Sequence, residues 1–238
     1  MIDKKTLHFF KNIFYDQRVS WHKKCFDIFI NCAKILDVGC GKGLFIRFSP
    51  ERIIGVDRNI DSLDECAKSN YRVIKSDILR LPFSEQAFDG VYCADVIEHL
   101  NPEGARQLLM ELSRVLKSNG LLVIAGPLAS SEFWDDPSHV RPYPPHSLFS
   151  YFIKDEFKGR TTQPSYKSLA YDMEFVKIVY RYAQFFRLPV HLYCDQSRRK
   201  ILNLLRPSSL LFMAGNLLSR VGLNRPRPEG FIFVIRKI

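Results

Sequence analysis

The sequence predicts an α/β fold, a mostly parallel sheet flanked by helices, and three observations carry that prediction. From Ile35 onward, short apolar runs alternate with helical patterns; a glycine-rich turn follows the first run directly; and carboxylates close several of the runs. Strand alternating with helix is the pattern of βαβ units, whose crossover helices cover both faces of the sheet.

The strands are expected at "KILDVG", "RIIGVD", "YRVIKSD", "FDGVYCAD" and "GLLVIAGP", with helices between them at "NIDSLDECAKSN" and "GARQLLMELSRVLKSNG". The second helix is the better marked: Pro102 suits a first turn, Leu108, Leu109, Leu112 and Leu116 recur at helical spacing, and Gly120 is a natural stop. "LLVIAG" is apolar at every position before its glycine, as a central strand covered on both faces should be. Two late strands are read at "FVKIVYRYAQF" and "GFIFVIRKI".

Composition bounds the function. A chain of 238 residues, 46% hydrophobic, suits one core domain with elaborations. A formal net charge of +10 favours an anionic partner. The six cysteines form no C-x-x-C pair, which points to reduced thiols in a cytoplasmic setting and to no metal site. The charged start and the absence of about 18 consecutive apolar residues argue against a signal peptide and a membrane span.

The turn "DVGCGKG" sets Gly39, Gly41 and Gly43 at every second position after the strand that carries Asp37. Glycines there let the backbone take positive φ and approach a ligand, and a helix starting near Leu44 would present free N–H groups. The dinucleotide pattern G-x-G-x-x-G fails at Leu44 and Ile46, and the phosphate-loop pattern fails because Lys42 lies between glycines. Asp57 closes the second strand 20 residues after Asp37, the interval at which a carboxylate accepts ribose hydroxyls. Asp77 adds a third carboxylate at a strand end, with Ile78 placed to pack on a flat ring.

Taken in order, D-x-G-x-G-x-G, "GVD", "SDILRLPFSEQAFDGVYCADVIEHL" and "LSRVLKSNGLLVIAGP" resemble a class I S-adenosylmethionine-dependent methyltransferase of the type 11, UbiE/UbiG-like group, over residues 33–127. The resemblance implies a Rossmann-like seven-stranded sheet. It also implies S-adenosyl-L-methionine as cofactor, with S-adenosyl-L-homocysteine as product. Asp37, Gly39, Cys40, Gly41 and Gly43 would meet its methionine part, Asp57 and Arg58 the ribose end, Asp77 and Ile78 the adenine, and Asp95 and Val96 the sulfonium. His99 would lie at the pocket's edge. A cationic sulfonium and an ammonium suit a carboxylate-lined pocket better than a diphosphate would.

The acceptor side falls to "DPSHVRPYPPHSL", a proline-stiffened loop after the fifth strand. It is similar to the D-P-x-H-x-R segment of methyltransferases acting on glycans and quinones. His139 is the candidate base for O-methylation, since imidazole titrates at about 6.5, against a loop-ordering hydrogen bond to a backbone group. Arg141 is a candidate clamp for a phosphate or carboxylate, against an ion pair with Asp135 or Asp136.

The expected function is methyl transfer to a small-molecule, glycan or lipid-linked acceptor. The alternatives are a nucleic-acid methyltransferase using the basic surface, disfavoured because "ADVI" stands where a base-directed N-P-P-Y motif would, and a non-catalytic cofactor-binding protein. The domain reading is an N-terminal helical cap at 1–32, the methyltransferase core at 33–189 and 229–238, and a basic amphipathic helical insertion at 190–228 before the last strand. Within that insertion, 197–222 combines Arg198, Arg199, Lys200, Arg206 and Arg220 with an apolar helical face at Leu210, Ala214, Leu217, Leu218 and Val221. That composition fits either a lid packed on the core or a peripheral contact with an anionic membrane surface.

Overall fold

A computed structural model describes residues 19–152, 173–182 and 228–238. Its elements are helix α1 (19–28), β1 (Ile35–Val38), β2 (Ile53–Asp57), α2 (Ile60–Lys68), β3 (Val73–Lys75), β4 (Phe88–Ala94), α3 (Pro102–Val115), β5 (Leu116–Pro127), α4 (Pro145–Phe152), β6 (Met173–Tyr182) and β7 (Pro228–Lys237). The strands form one seven-stranded sheet in the order β3-β2-β1-β4-β5-β7-β6. The pairs β1–β2, β1–β4, β2–β3 and β4–β5 are all parallel. The chain steps outward from β1 to β2 and β3, then returns to place β4 on the other side of β1, so the switch point lies between β1 and β4. Ligands of such sheets bind beyond the carboxyl ends of the strands at that point.

Alternate residues of the central strands feed two separate cores. Leu122, Ile124, Phe231, Phe233 and Ile235 join Leu108, Leu109 and Leu112 of α3 on one face. Val123, Ala125, Ile232 and Val234 join Trp21, Cys25 and Phe29, from α1 and the turn after it, on the other. This period of two in continuous apolar runs is the signature of strands buried on both sides. Cys93 and Cys40 are buried fillers, Cys40 pressing its Sγ to 2.7 Å from where a Cβ on Gly55 would stand.

Three expectations need correction. The helix read from Leu44 is a turn through 41–45 followed by a single 3-10 turn, Ile46–Phe48; Pro50 disfavours helical backbone at the preceding Ser49, whose φ is −163°. Helix α3 ends at Val115, not Gly120: Leu116 already pairs with Phe88, and Asn119 at φ 63° carries an irregularity at the start of β5. The proline loop stops sooner than expected, because Pro145 opens α4, where a missing N–H costs nothing, and this puts His146 on a helix.

The contacts divide the chain into a compact unit, to which the described residues through 179 and from 231 onward belong, and a second unit at 180–230, of which the structure describes only 180–182 and 228–230. Most of the N-terminal cap at 1–32, and the basic insertion with its membrane reading at 197–222, lie outside the described residues. Among the described residues, no helix is long and apolar enough to cross a membrane.

Candidate functional site

The glycine turn leaves β1 and folds back onto β2: the N–H groups of Gly39 and Cys40 both donate to the Val56 carbonyl, at 2.9 and 3.0 Å. Gly39, Gly41 and Gly43 have φ of 76°, 48° and 75°, the left-handed region that side chains avoid. A Cβ on Gly39 would stand 2.4 Å from Val96 Cγ2, and one on Gly43 would stand 2.7 Å from Tyr71 Cδ2. A Cβ on Gly41 would meet nothing within 4 Å, so its α-carbon faces open space. Asp57 braces the turn from the end of β2: Oδ2 accepts from Gly41 N at 2.8 Å and Oδ1 from Asn59 N at 2.8 Å, which leaves further lone pairs on both oxygens.

A cavity of about 800 Å³ lies against this turn, lined by Asp37, the 39–45 segment, Asp95, His22 of α1 and Tyr92 of β4. Asp37 is 3% exposed, its Oδ2 has no hydrogen-bond partner, and burial, with Asp57 adding to it, pushes its carboxyl up to about 8. Burial holds the Tyr92 hydroxyl in its protonated form as well, 2.9 Å from His22 Nδ1 and with the ring stacked on Phe45. Asp95 follows β4 at φ 52°, an uncommon conformation for a residue with a side chain and one that gathers at functional sites.

The donor set fits a cation. A buried carboxylate without a partner, open space above a glycine, and a second carboxylate at Asp95 would receive an ammonium and a sulfonium.

The cavity takes in Asp37, Gly39, Cys40, Gly41, Gly43 and Asp95, as the sequence suggests, but Asp57, Arg58, Asp77, Ile78 and Val96 do not line it, nor does His99, expected at its edge. Asp77 is exposed two residues beyond β3, its Oδ1 accepting from Leu79 N at 2.9 Å, and Ile78 packs on the larger core. Arg58 is exposed beside Asp57. His22, Tyr92, Glu65 and Tyr71 were not legible as lining residues; the sequence signal at His22 is only the helical rhythm of an aromatic and lysine-rich stretch.

The remaining candidates meet at the ends of β4 and β5. Glu98 and His99 form a 3-10 turn two to three residues beyond Val96, and the Glu98 carboxylate is buried 3.7 Å from where a Cβ on Gly126 would stand. The Glu98 carbonyl accepts from Val140 N and Arg141 N at 2.8 and 3.1 Å, which pins the loop carrying His139 to this turn. His139 Nδ1 lies 2.7 Å from the Phe133 carbonyl, and the His99 and His139 rings are 5.0 Å apart between centroids. The loop-ordering hydrogen bond expected as the alternative for His139 is therefore present, and it leaves Nε2 as the ring atom able to accept. Arg141 lies over the Tyr143 ring at 5.7 Å, while the Tyr143 hydroxyl donates to the Leu100 carbonyl.

Residues 36–124 match a family model described as a methyltransferase domain. The chain is similar to an uncharacterized protein of Methanocaldococcus jannaschii, 37% identical over 38% of this chain and 39% of that one. It is also similar to a ubiquinone biosynthesis O-methyltransferase of Rickettsia conorii, 33% identical over 40% of this chain and 35% of that one. A tRNA (carboxymethyluridine(34)-5-O)-methyltransferase of Arabidopsis thaliana is 33% identical over 38% and 23%. The chain thus spans well under half the length of these relatives. Among solved structures, a SAM-dependent methyltransferase from Archaeoglobus fulgidus shares the fold with a TM-score of 0.59 and 24% identity, over 99% of this chain and 100% of that one. With the glycine turn, the carboxylate-lined cavity and the strand order in agreement, residues 36–124 match a methyltransferase domain and carry a fold shared with a SAM-dependent methyltransferase.

Proposed function

We propose that this chain transfers the methyl group of S-adenosylmethionine to an oxygen of a small-molecule, glycan or lipid-linked acceptor. The observation that carries the reading is Asp37, a buried carboxylate with an oxygen lacking a hydrogen-bond partner on the floor of a cavity bounded by glycine backbone. Supporting it on the acceptor side, Glu98, His99 and His139 gather just beyond Val96, the residue that abuts the glycine turn. The names of the Rickettsia and Arabidopsis relatives both describe O-methylation, of otherwise different acceptors.

Bound cofactor supplies an electrophilic methyl on sulfonium. The chain's own groups hold and orient it: Asp37 faces the ammonium, Gly41 leaves room for it, and Asp57, bonded to Gly41 N just outside the cavity lining, takes the ribose hydroxyls where the ligand extends past that turn. The Glu98–His99–His139 side eases loss of the acceptor's proton.

The test measures the Asp57–ribose contact separately from the turn that Asp57 also braces. By calorimetry, Asp57→Ala is expected to bind S-adenosylhomocysteine at least tenfold more weakly, since charge-assisted hydrogen bonds contribute about 1.5–3 kcal/mol each. The 2′-deoxy analogue should bind wild type more weakly than the parent but bind Asp57→Ala equally. An equal loss for the analogue in both proteins removes Asp57 from the ribose.

A further inference from the structure

We propose that Glu98, His99 and His139 form a binding site for a divalent first-row transition-metal cation just beyond Val96, the residue that abuts the glycine turn. One donor atom from each lies within 4.8 Å of the other two. The site itself stands on this geometry alone; only the role given to it rests on the methyl-transfer reading.

The hydrogen bonds around the two rings make the case stronger than proximity does. His139 Nδ1 is 2.7 Å from the Phe133 carbonyl, and His99 Nδ1 is 3.0 Å from the Ser138 carbonyl. A carbonyl can only accept, so in both rings Nδ1 carries the hydrogen and donates it, and in both neutral rings the lone pair is on Nε2. Metal-ligating histidines are held this way, the second ring nitrogen donating to a carbonyl that fixes the tautomer and the ring plane. A histidine serving only to order a loop needs one such bond. Two histidines, 40 residues apart in sequence and brought to a 5.0 Å ring separation with the same tautomer, are organised for a shared ligand.

The backbone holds the set as a unit. Glu98 and His99 are neighbours on one 3-10 turn, and the Glu98 carbonyl takes the N–H groups of Val140 and Arg141, which flank His139 on its C-terminal side. Asp136 extends the charge: Oδ1 is used by Ser138, through N at 2.9 Å and Oγ at 2.6 Å, while Oδ2 stands 3.7 Å from His139 Nε2.

Two imidazoles with a carboxylate suit zinc, iron, cobalt or manganese and disfavour magnesium and calcium, which take oxygen donors. Bonds of about 2.0–2.1 Å to a tetrahedral ion need ligand atoms roughly 3.4 Å apart, so binding closes separations of up to 4.8 Å by as much as about 1.4 Å. Three protein ligands leave a position open for an acceptor oxygen. Polarised there, the hydroxyl releases its proton to solvent as its O–C bond to the methyl forms, and the S–C bond breaks with its electron pair staying on sulfur. His139 is then a ligand and not the base that the sequence suggests.

The experiment uses the full chain, stripped with a chelator and titrated with Co(II) and with Zn(II), read by calorimetry and, for cobalt, by visible absorption. The expected result is one equivalent bound in the micromolar range or tighter, with cobalt bands shifted and intensified from those of the aqueous ion and abolished by zinc. His99→Ala and His139→Ala should each weaken binding at least tenfold while affinity for S-adenosylhomocysteine stays within about twofold. Because Glu98 is buried and its replacement risks the fold, the two half-buried histidines carry the test, with circular dichroism as the folding control. Wild type that binds neither metal, or a His99→Ala/His139→Ala double variant that binds as well as wild type, overturns the site. Failure of metal binding with S-adenosylhomocysteine still bound leaves the methyl-transfer reading intact, and metal binding without cofactor binding does the reverse.

Discussion

At Asp37 two physical demands conflict: the position is closed to water, and the side chain is one that prefers to be charged. Burial resolves the conflict by holding the carboxyl protonated up to about 8, against an ordinary value of 3.8. The folded chain therefore keeps a proton that the unfolded chain has released, and its stability falls as pH rises from about 4 to about 8, then levels off. A cation in the cavity reverses the preference by favouring the charged form, so cofactor affinity should rise with pH until Asp37 is ionised. Asp37→Asn removes both effects. Denaturation curves from pH 5 to 8.5 should show a shallower loss of stability for Asp37→Asn than for wild type. Calorimetry with S-adenosylmethionine over the same range should show weaker binding with less pH dependence. Parallel curves for the two proteins would mean that Asp37 is not the group being titrated.

At the scale of elements, much of the fold could be read from the chain because its strongest signals are local. Asn59 and Asn101 each cap the helix that follows, accepting from Ser62 N and Gly104 N, and α3 opens at Pro102 as the sequence suggests. The end of α3 was less legible, since its Leu spacing continues through Leu116 while pairing with Phe88 draws that residue into the sheet. His22 and Tyr92 were hidden for a related reason: they are 70 residues apart, and only packing of α1 on the sheet places both at the cavity.

Helix α3 also holds the 81–83 segment. Arg114 donates to the carbonyls of Leu81 and Phe83 at 3.1 and 2.7 Å, and Glu111 accepts from Leu81 N at 2.8 Å while forking with Arg114. Both side chains are mostly buried, at 24% and 13% exposure, so removing one strands the other. Arg114→Ala should cost about 3 kcal/mol in urea denaturation, and Arg114→Lys should recover only part of it because an ammonium lacks the planar fork. A loss under about 1 kcal/mol would show that the latch contributes little.

At the scale of the molecule, the cavity draws on stretches far apart in sequence, among them α1 at 19–28, the turn at 37–45, and Tyr92 to Asp95 at the end of β4. A ligand that touches all three stabilises the whole unit by mass action, by about 2.7 kcal/mol at a hundredfold excess over Kd. For a chain of this size that corresponds to a rise in Tm of roughly 5–10 °C. Saturating the glycine turn alone would produce the same shift, so Tm does not reveal which elements the ligand reaches. Hydrogen exchange does. With His22 lining the cavity beside Asp37, adding S-adenosylhomocysteine should slow exchange in 19–28 as well as in 37–45. A ligand that raises Tm and protects the turn but leaves α1 exchanging at its free rate would take the helix out of the site and make its packing against Phe45 and Tyr92 purely structural.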